Sequence, residues 1–426
     1  MADLGCRIAG IDSINPFWLA SAPPTDKEYN VVRAFAAGWG GVVWKTLGLD
    51  PPVVNATSRY GVHHDARRGI IGINNIELIS DRPLDVNLAE IERVRRAWPD
   101  RAVIGSMMAP MEEEAWKTLA IRIANAGVHG IELNLGCPHG MCERGMGSAI
   151  GQVPDLVEKT TRWVREAVDI PVFTKLTPNI TDILVPAAAA KAGGAHAVSL
   201  INTLNSITSV DLDRMAPTPT VDGKGTHGGY CGPAVKPIAL NMVADIANAK
   251  ETRGLEMSAI GGIATWRDAA EFIALGAAGV QVCTAAMLYG FRIVEDMIEG
   301  LGAFMAEKGY RTVADFRGLA SANTVDWNAL NLNYDLKARI DPETCIACGR
   351  CHIACEDTSH QAIRIEAHPQ GGRLFRVVDA DCVGCNLCQM ICPVPDCIAM
   401  VPVENGRPSV TWPDHPANPL RRAGAE

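Results

Sequence analysis

Aromatic side chains are scarce in this chain, 5% of 426 residues, and no block of lysine and arginine interrupts a net charge of −9. Without a basic patch, a nucleic-acid partner is not expected. The opening residues, MADLGCRIAGIDSI, lack the basic start and unbroken apolar stretch of a signal peptide. No apolar run reaches the length of a bilayer span; the longest, around 184–201, is broken by Pro186, Lys191 and His196. No membrane association is expected, and the chain reads as cytoplasmic. In that reducing compartment, metal binding and catalysis outrank disulfides as uses for cysteine.

What is present is an ordinary globular balance, 48% apolar and 20% charged, in a chain too long for one core. Residues 1–310 alternate short β-branched or apolar runs with stretches of helical spacing. Eight runs read as strands: FWLASA (17–22), GVVWKTLG (41–48), AVIGSMM (102–108), GIELNLG (130–136), PVFTKLTP (171–178), AVSLINT (197–203), MSAIGGI (257–263) and GVQVCTA (279–285). Helical periodicity covers 85–98, 113–126, 154–168, 233–250 and 266–275. The expected class is α/β, a parallel sheet closed into a (β/α)8 TIM barrel; the alternative is an open doubly wound sheet. Nearly every run ends in a polar or glycine-rich group: Ser21, Lys45-Thr46, Asn134, Lys175, Asn202-Thr203, Gly261-Gly262, Cys283-Thr284. Catalytic groups of such barrels gather at the carboxyl ends of strands, so these ends are expected to form one site. Residues 311–340 read as a connector, 341–404 as a ferredoxin-like domain, and 405–426 as a loose, proline-rich tail.

Nine of the fourteen cysteines lie after residue 340, and their spacing is informative. Cys345, Cys348, Cys351 and Cys355 stand at intervals of three, three and four, and Cys382, Cys385, Cys388 and Cys392 repeat the pattern before Pro393. This is the run for two [4Fe–4S] clusters, the fourth cysteine of each run serving the other cluster. Cys345, Cys348, Cys351 and Cys392 are assigned to one, and Cys355, Cys382, Cys385 and Cys388 to the second. A pair of zinc sites is the alternative, but zinc prefers two separated pairs around one ion. Cys397 is left over as a packed thiol.

A two-cluster module carries single electrons, and a flavin is the usual converter between these and a hydride. Gly261-Gly262 and Cys283-Thr284 close the last two strands, where such barrels bind a phosphate, and a single phosphate points to FMN. The bland reading of the glycine pair is a tight turn. Lys45 and Lys175 belong either beside the flavin's pyrimidine edge or in salt bridges at the rim. Ala20, Ser21, Thr46 and Gly232 complete the candidate cofactor contacts. Gly223, Gly225 and Gly228 spell GxGxxG, but follow a proline-studded loop rather than a strand, with no helix at their end. No nicotinamide site is therefore assigned.

Cys137 stands just past a strand end and before a glycine-rich loop, out of register with other cysteines for metal. A thiol mostly protonated at neutral pH can donate a proton while a hydride adds to the neighbouring carbon, saturating an activated C=C bond. The loop would close to exclude water, with His139 and Glu143 bracing it. A buried bystander thiol is the alternative.

The loop NLGCPHGMCERGMG (134–147) resembles the N-L-S-C-P-H-G-M-G-E-R-G-M-G loop of dihydropyrimidine dehydrogenases; dihydroorotate dehydrogenases carry a shorter N-L-S-C-P-N version. The likeness to the former continues through NPFWLASAPPT (15–25), AGWGGVVWKT (37–46), NNIELIS (74–80), KLTPNITDI (175–183), SLINT (199–203), IGGI (260–263), QVCTAA (281–286) and the ferredoxin-like end. It implies that Cys137 is the general acid and that Asn75, Glu77, Asn134, Asn202 and Thr203 bind substrate. The implied activity is reduction of uracil and thymine to 5,6-dihydropyrimidines on FMN. Electrons would come from NADH through a partner subunit bearing FAD, two copies of each subunit forming a heterotetramer. Gly136 and Cys142 depart from the family pattern. Asparagine amides match the alternating N–H and C=O groups of these rings, and Glu77 would accept from a ring N–H while repelling the carboxylate of orotate. The competing readings are a dihydroorotate dehydrogenase with a fused ferredoxin domain and a non-catalytic electron-transfer subunit.

Overall fold

Strands covered by helices outside and by a filled barrel inside need apolar side chains on both faces. In the computed structural model, which describes residues 2–49, 54–66, 69–369 and 371–422, the eight runs meet that need. They form β1 (Phe17–Leu19), β2 (Gly41–Leu47), β3 (Ala102–Met107), β4 (Gly130–Asn134), β5 (Val172–Lys175), β6 (Ala197–Leu200), β7 (Glu256–Ile260) and β8 (Gly279–Val282). Each pairs in parallel with its neighbours in sequence, and β8 returns to β1 through Val280 opposite Phe17. The barrel is closed. β2, β3, β5, β6 and β8 are buried at every position.

Helices Leu84–Ala97, Glu113–Asn125, Pro154–Ala167, Lys236–Asn248 and Trp266–Ala274 occupy the stretches with helical periodicity. Three more crossovers, Glu28–Ala37, Leu184–Ala192 and Ile293–Lys308, complete the outer ring. Pro186 falls in the first turn of Leu184–Ala192, where its missing N–H costs no intrahelical bond. Trp266–Ala274 begins at a capping box in which Thr265 and Asp268 satisfy each other's backbone N–H. Among the described residues no helix is long and apolar enough to cross a membrane.

The antiparallel pair Cys6–Ile8 and Ile11–Ser13 brings Ile8 and Ile11 against Trp18, Val43, Ile104, Phe173 and Ala197, an apolar layer at the amino ends of the strands. Trp18 is fully buried and donates from Nε1 to Ser13 Oγ at 2.9 Å. Two residues further along, alternation turns polar groups inward, among them Glu132, Lys175, Ser199, Ser258 and Gln281. At the carboxyl ends, Tyr60–Asp65, Gly69–Asn75, Gly228–Cys231 and Leu204–Ser206 form a separate four-stranded antiparallel sheet. The glycines of DGKGTHGG serve this region. Lys224–Gly225 turns back on Thr220–Val221, and a Cβ at Gly228 would stand 2.1 Å from Asn74 Oδ1. They permit close strand approach and do not open a helix.

The chain divides into two compact units, Met1–Thr324 and Val325–Glu426. The stretch expected as a connector, 311–340, is shared between them. Val313 and Phe316 belong to the barrel's core because both are apolar and find a hydrophobic pocket there, while Leu336–Ile340 pairs with Ile398–Pro402 in the second unit. That unit also holds the hairpin Ile363–Ala367 with Arg373–Val377 and helices Arg350–Glu356 and Leu387–Ile391. Its tail is less loose than its composition suggests. Val410 O accepts from Leu332 N at 2.8 Å, Pro408 O from Asn333 Nδ2 at 2.7 Å, and Trp412 packs against Trp327.

Candidate active site and cluster module

All sixteen barrel residues expected from the sequence to act on substrate or cofactor line one cleft at the carboxyl ends of the strands, with about 1350 Å³ of empty space, open solvent included; Glu143, expected to brace the loop, does not. At one side Gly261 (φ 136°), Gly262 (φ 72°) and Gly232 (φ 102°) hold backbone conformations that glycine alone adopts without strain. A Cβ on Gly261 would lie 2.6 Å from Ala239 Cβ, and one on Gly262 2.8 Å from Lys236 Cβ. No hydrogen bond engages the backbone N–H of Gly261, Gly262, Ile263, Cys283 or Thr284 among the described residues. Such a cradle of free donors fits a phosphate.

Across the cleft stand two buried lysines. Lys45 Nζ meets Glu77 Oε1 at 2.6 Å, and Arg59 Nη1 takes Oε2 at 2.9 Å with Tyr60 OH at 3.2 Å. Burial pushes the Glu77 carboxyl up, but the hydrogen bonds and charges of Lys45 and Arg59 outweigh it and hold the group below the ordinary range. Glu77 is thus not a bare negative charge. Two cations oppose it, which removes the physical ground on which it was expected to repel orotate. Lys175 Nζ lies 3.6 Å from Glu132 Oε1. Lysines in ion pairs can therefore also face a ligand.

The substrate-binding candidates form a connected polar rim. Asn134 Nδ2 donates to Thr46 Oγ1 at 2.9 Å, Thr46 meets Ser21 Oγ at 3.0 Å, and Asn202 Nδ2 donates to Asn134 Oδ1 at 2.8 Å. Asn202 Oδ1 accepts from Thr203 N at 2.8 Å, and Asn75 Oδ1 from Glu77 N at 3.2 Å. A side chain at Gly136 would sit 2.5 Å from Asn202 Cβ, so the departure there goes with Asn202 packed on the loop backbone.

Cys137 is 8% exposed and points Sγ at His139 O, 3.4 Å away. Burial pushes its thiol up to about 11. It is therefore protonated at neutral pH, the state a proton donor needs. His139 Nε2 lies 2.9 Å from Glu77 O, a contact that joins the loop to the rim. Cys142 Sγ is tied to Pro138 O at 3.2 Å. Arg59, Tyr60, Tyr230, Cys231 and Gln281 also line the cleft or hold its rim and were not foreseen. Glu132 and Gln281 had a readable signal, since each stands two positions before a strand-end residue already chosen, on the same face. For Arg59 and Tyr230 none was present.

In the second unit, Cys345, Cys348, Cys351 and Cys392 ring one cavity and Cys355, Cys382, Cys385 and Cys388 another. Each quartet takes its fourth member from the other run. Among the described residues no three His, Cys, Asp or Glu groups gather as ligands of a single ion would. Four thiols spread around a cavity fit a cube of iron and sulfide. Cys397 is buried and also lines the first cavity, but its Sγ is turned to Asp341 O at 3.8 Å.

Residues 3–305 match the dihydroorotate dehydrogenase family, and residues 338–400 match the 4Fe-4S dicluster domain. The chain is 41% identical over 403 residues to the NAD-dependent dihydropyrimidine dehydrogenase subunit PreA of Escherichia coli strain K12, covering 94% of this chain and 96% of that protein. It is 42% identical to the chloroplastic dihydropyrimidine dehydrogenase (NADP(+)) of Arabidopsis thaliana, over 74% of this chain and 76% of that one. The catalytic subunit of dihydroorotate dehydrogenase B (NAD(+)) from Pyrococcus abyssi is 35% identical, over 74% of this chain and 99% of its own length. The chain belongs to the dihydroorotate dehydrogenase family of oxidoreductases and carries a 4Fe–4S dicluster domain after its barrel.

Proposed function

We propose that the protein reduces uracil and thymine to their 5,6-dihydro forms, with FMN in the barrel cleft and two [4Fe–4S] clusters in the second unit. The convergence of a protonated, buried Cys137 with the Asn134, Asn202 and Glu77 rim in one cleft carries this reading. FMN, when bound, supplies the hydride. The free N–H groups at Gly261-Gly262 and Cys283-Thr284 would hold its phosphate, and Lys45 and Lys175 its electron-rich end.

Asn134 and Asn202 each spend one amide hydrogen on the rim and keep a second for a ring carbonyl. Glu77 accepts a ring N–H in place of Arg59, whose side chain is 28% exposed and has solvent to turn to. Cys137 then delivers H⁺ to the carbon next to the one receiving the hydride, and its thiolate, strongly basic in that buried place, takes a proton back. The family resemblance and the cluster module support a partner subunit with FAD and NADH, two of each chain, in the reducing cytoplasm. To test this, the protein is purified anaerobically, its iron, sulfide and FMN are counted, and uracil is added to the reduced sample. Reoxidation with formation of dihydrouracil is expected.

A second reading, dihydroorotate as substrate, is favoured by the pairing of Glu77 with both Lys45 and Arg59, which leaves net positive charge for a carboxylate. Turnover of orotate without turnover of uracil would establish it.

A further inference from the structure

Glu132 has none of its surface exposed, and no step described above uses it. Its Oε2 accepts from Gln281 Nε2 at 3.3 Å, while Oε1 receives no hydrogen bond. Facing Oε1 is Lys175 Nζ, 3.6 Å away. Lys175 ends β5, lines the cleft and donates no hydrogen bond among the described residues. A buried ammonium carries three donors, and leaving them idle is costly. One held by charge alone, beyond hydrogen-bond reach, keeps those donors for whatever enters the cleft.

The carboxylate itself is pinned. Gln281 Nε2 also reaches Ser258 Oγ at 3.0 Å and Ser199 Oγ at 3.4 Å, so three strands fix the amide that holds Glu132. Below lies the apolar layer of Trp18 and Phe173. A buried carboxylate in such a place survives because an opposite charge compensates it. Glu132 and Lys175 are mutually dependent, and only the lysine meets the ligand space.

We propose that Glu132 is a positioning residue: a fixed counter-charge beside Lys175 that leaves the ammonium's donors free toward the cleft, and so limits how strongly the barrel favours reduced, anionic flavin over oxidised flavin. This rests on the flavin reading above. Removing the negative charge leaves Lys175 uncompensated, which favours the reduced ring. Removing the lysine does the reverse.

The test is a cycle of Glu132→Gln, Lys175→Gln and the double variant, read by spectroelectrochemistry of the FMN-loaded protein and by urea unfolding of the flavin-free protein. Glu132→Gln should raise the ratio of reduced- to oxidised-flavin affinity ~10-fold, ~30 mV for a two-electron couple. That rise should shrink by more than half in the Lys175→Gln background. In unfolding, the double variant should lose less stability than the two single losses together. A potential unchanged or lowered by Glu132→Gln, an equal rise in both backgrounds, or additive unfolding losses each overturn the proposal. Unfolding coupling across the cycle, found together with a wild-type protein that binds no FMN, would sink the flavin reading and the tuning while leaving the ion pair standing.

Discussion

Replacing Cys137 by alanine separates chemistry from packing because the two effects differ in size. The thiol packs beside Ile79, Met108 and Met141, and its deletion removes one heavy atom from that cluster. The cavity and transfer loss amount to about 1 kcal/mol, too little to unfold a barrel of this size. Loss of a positioned proton donor removes typically 10²–10⁴-fold in rate, about 3–5 kcal/mol of barrier. The variant should keep full FMN and iron content, bind uracil with an affinity within about threefold of wild type, and reduce it at least ~100-fold more slowly. Rapid mixing of pre-reduced protein with uracil, followed by flavin absorbance and by dihydrouracil quantification, measures the step without an external electron donor. A fully loaded variant that retains half the wild-type rate would refute the assignment of Cys137 as acid.

Because burial raises the Cys137 thiol to about 11, its donating form persists across the neutral range, and kcat should stay flat from pH 7 to 9 and fall only toward pH 11; a midpoint near the ordinary thiol value would contradict the burial argument. Gly261→Ala puts a Cβ 2.6 Å from Ala239 at a φ of 136°, and fluorescence titration of the flavin-free protein should show FMN affinity reduced at least ~10-fold. Glu77 is depressed in the folded protein, so its contribution to stability is present above the ordinary value of 4.5 and disappears as pH falls through the lower folded value. Urea unfolding should therefore show Glu77→Gln less stable by about 1 kcal/mol at pH 7, screening included, with the difference closing below pH 4.5. Cys348→Ser should lower iron from about eight to about four per chain, whereas Cys397→Ser should leave it unchanged; equal iron loss in both would make Cys397 a ligand.

The barrel was legible because parallel strands leave a strong trace: continuous buried runs such as GVVWKTL, nearly all with a polar or glycine-rich group at or just past the strand end, which only a functional mouth requires. Cysteine spacing was equally direct, since three thiols at every third position meet one cavity wherever the loop wraps it. Less of the roof could be read. Tyr60–Asp65 and Gly228–Cys231 are short, glycine-containing and partly exposed, so neither period two nor β-branching stands out. Leu184–Ala192 is so uniformly apolar that its helical period is hidden, and Pro186 masks its start. Arg59 illustrates a further limit. Its importance comes from meeting Glu77, eighteen positions away, across a hairpin whose pairing no local pattern announces.

The exchange of Cys355 and Cys392 between the two quartets has a consequence for maturation. Neither metal cage can be finished while the other half of the module is still unfolded, because each is one thiol short until the opposite run arrives. Iron loading should then behave as a single concerted event, and chains holding one cluster should be rare at every intermediate iron supply. Losing Cys355 or Cys392 would therefore open the cage that the opposite run builds, and not the one its own neighbours line.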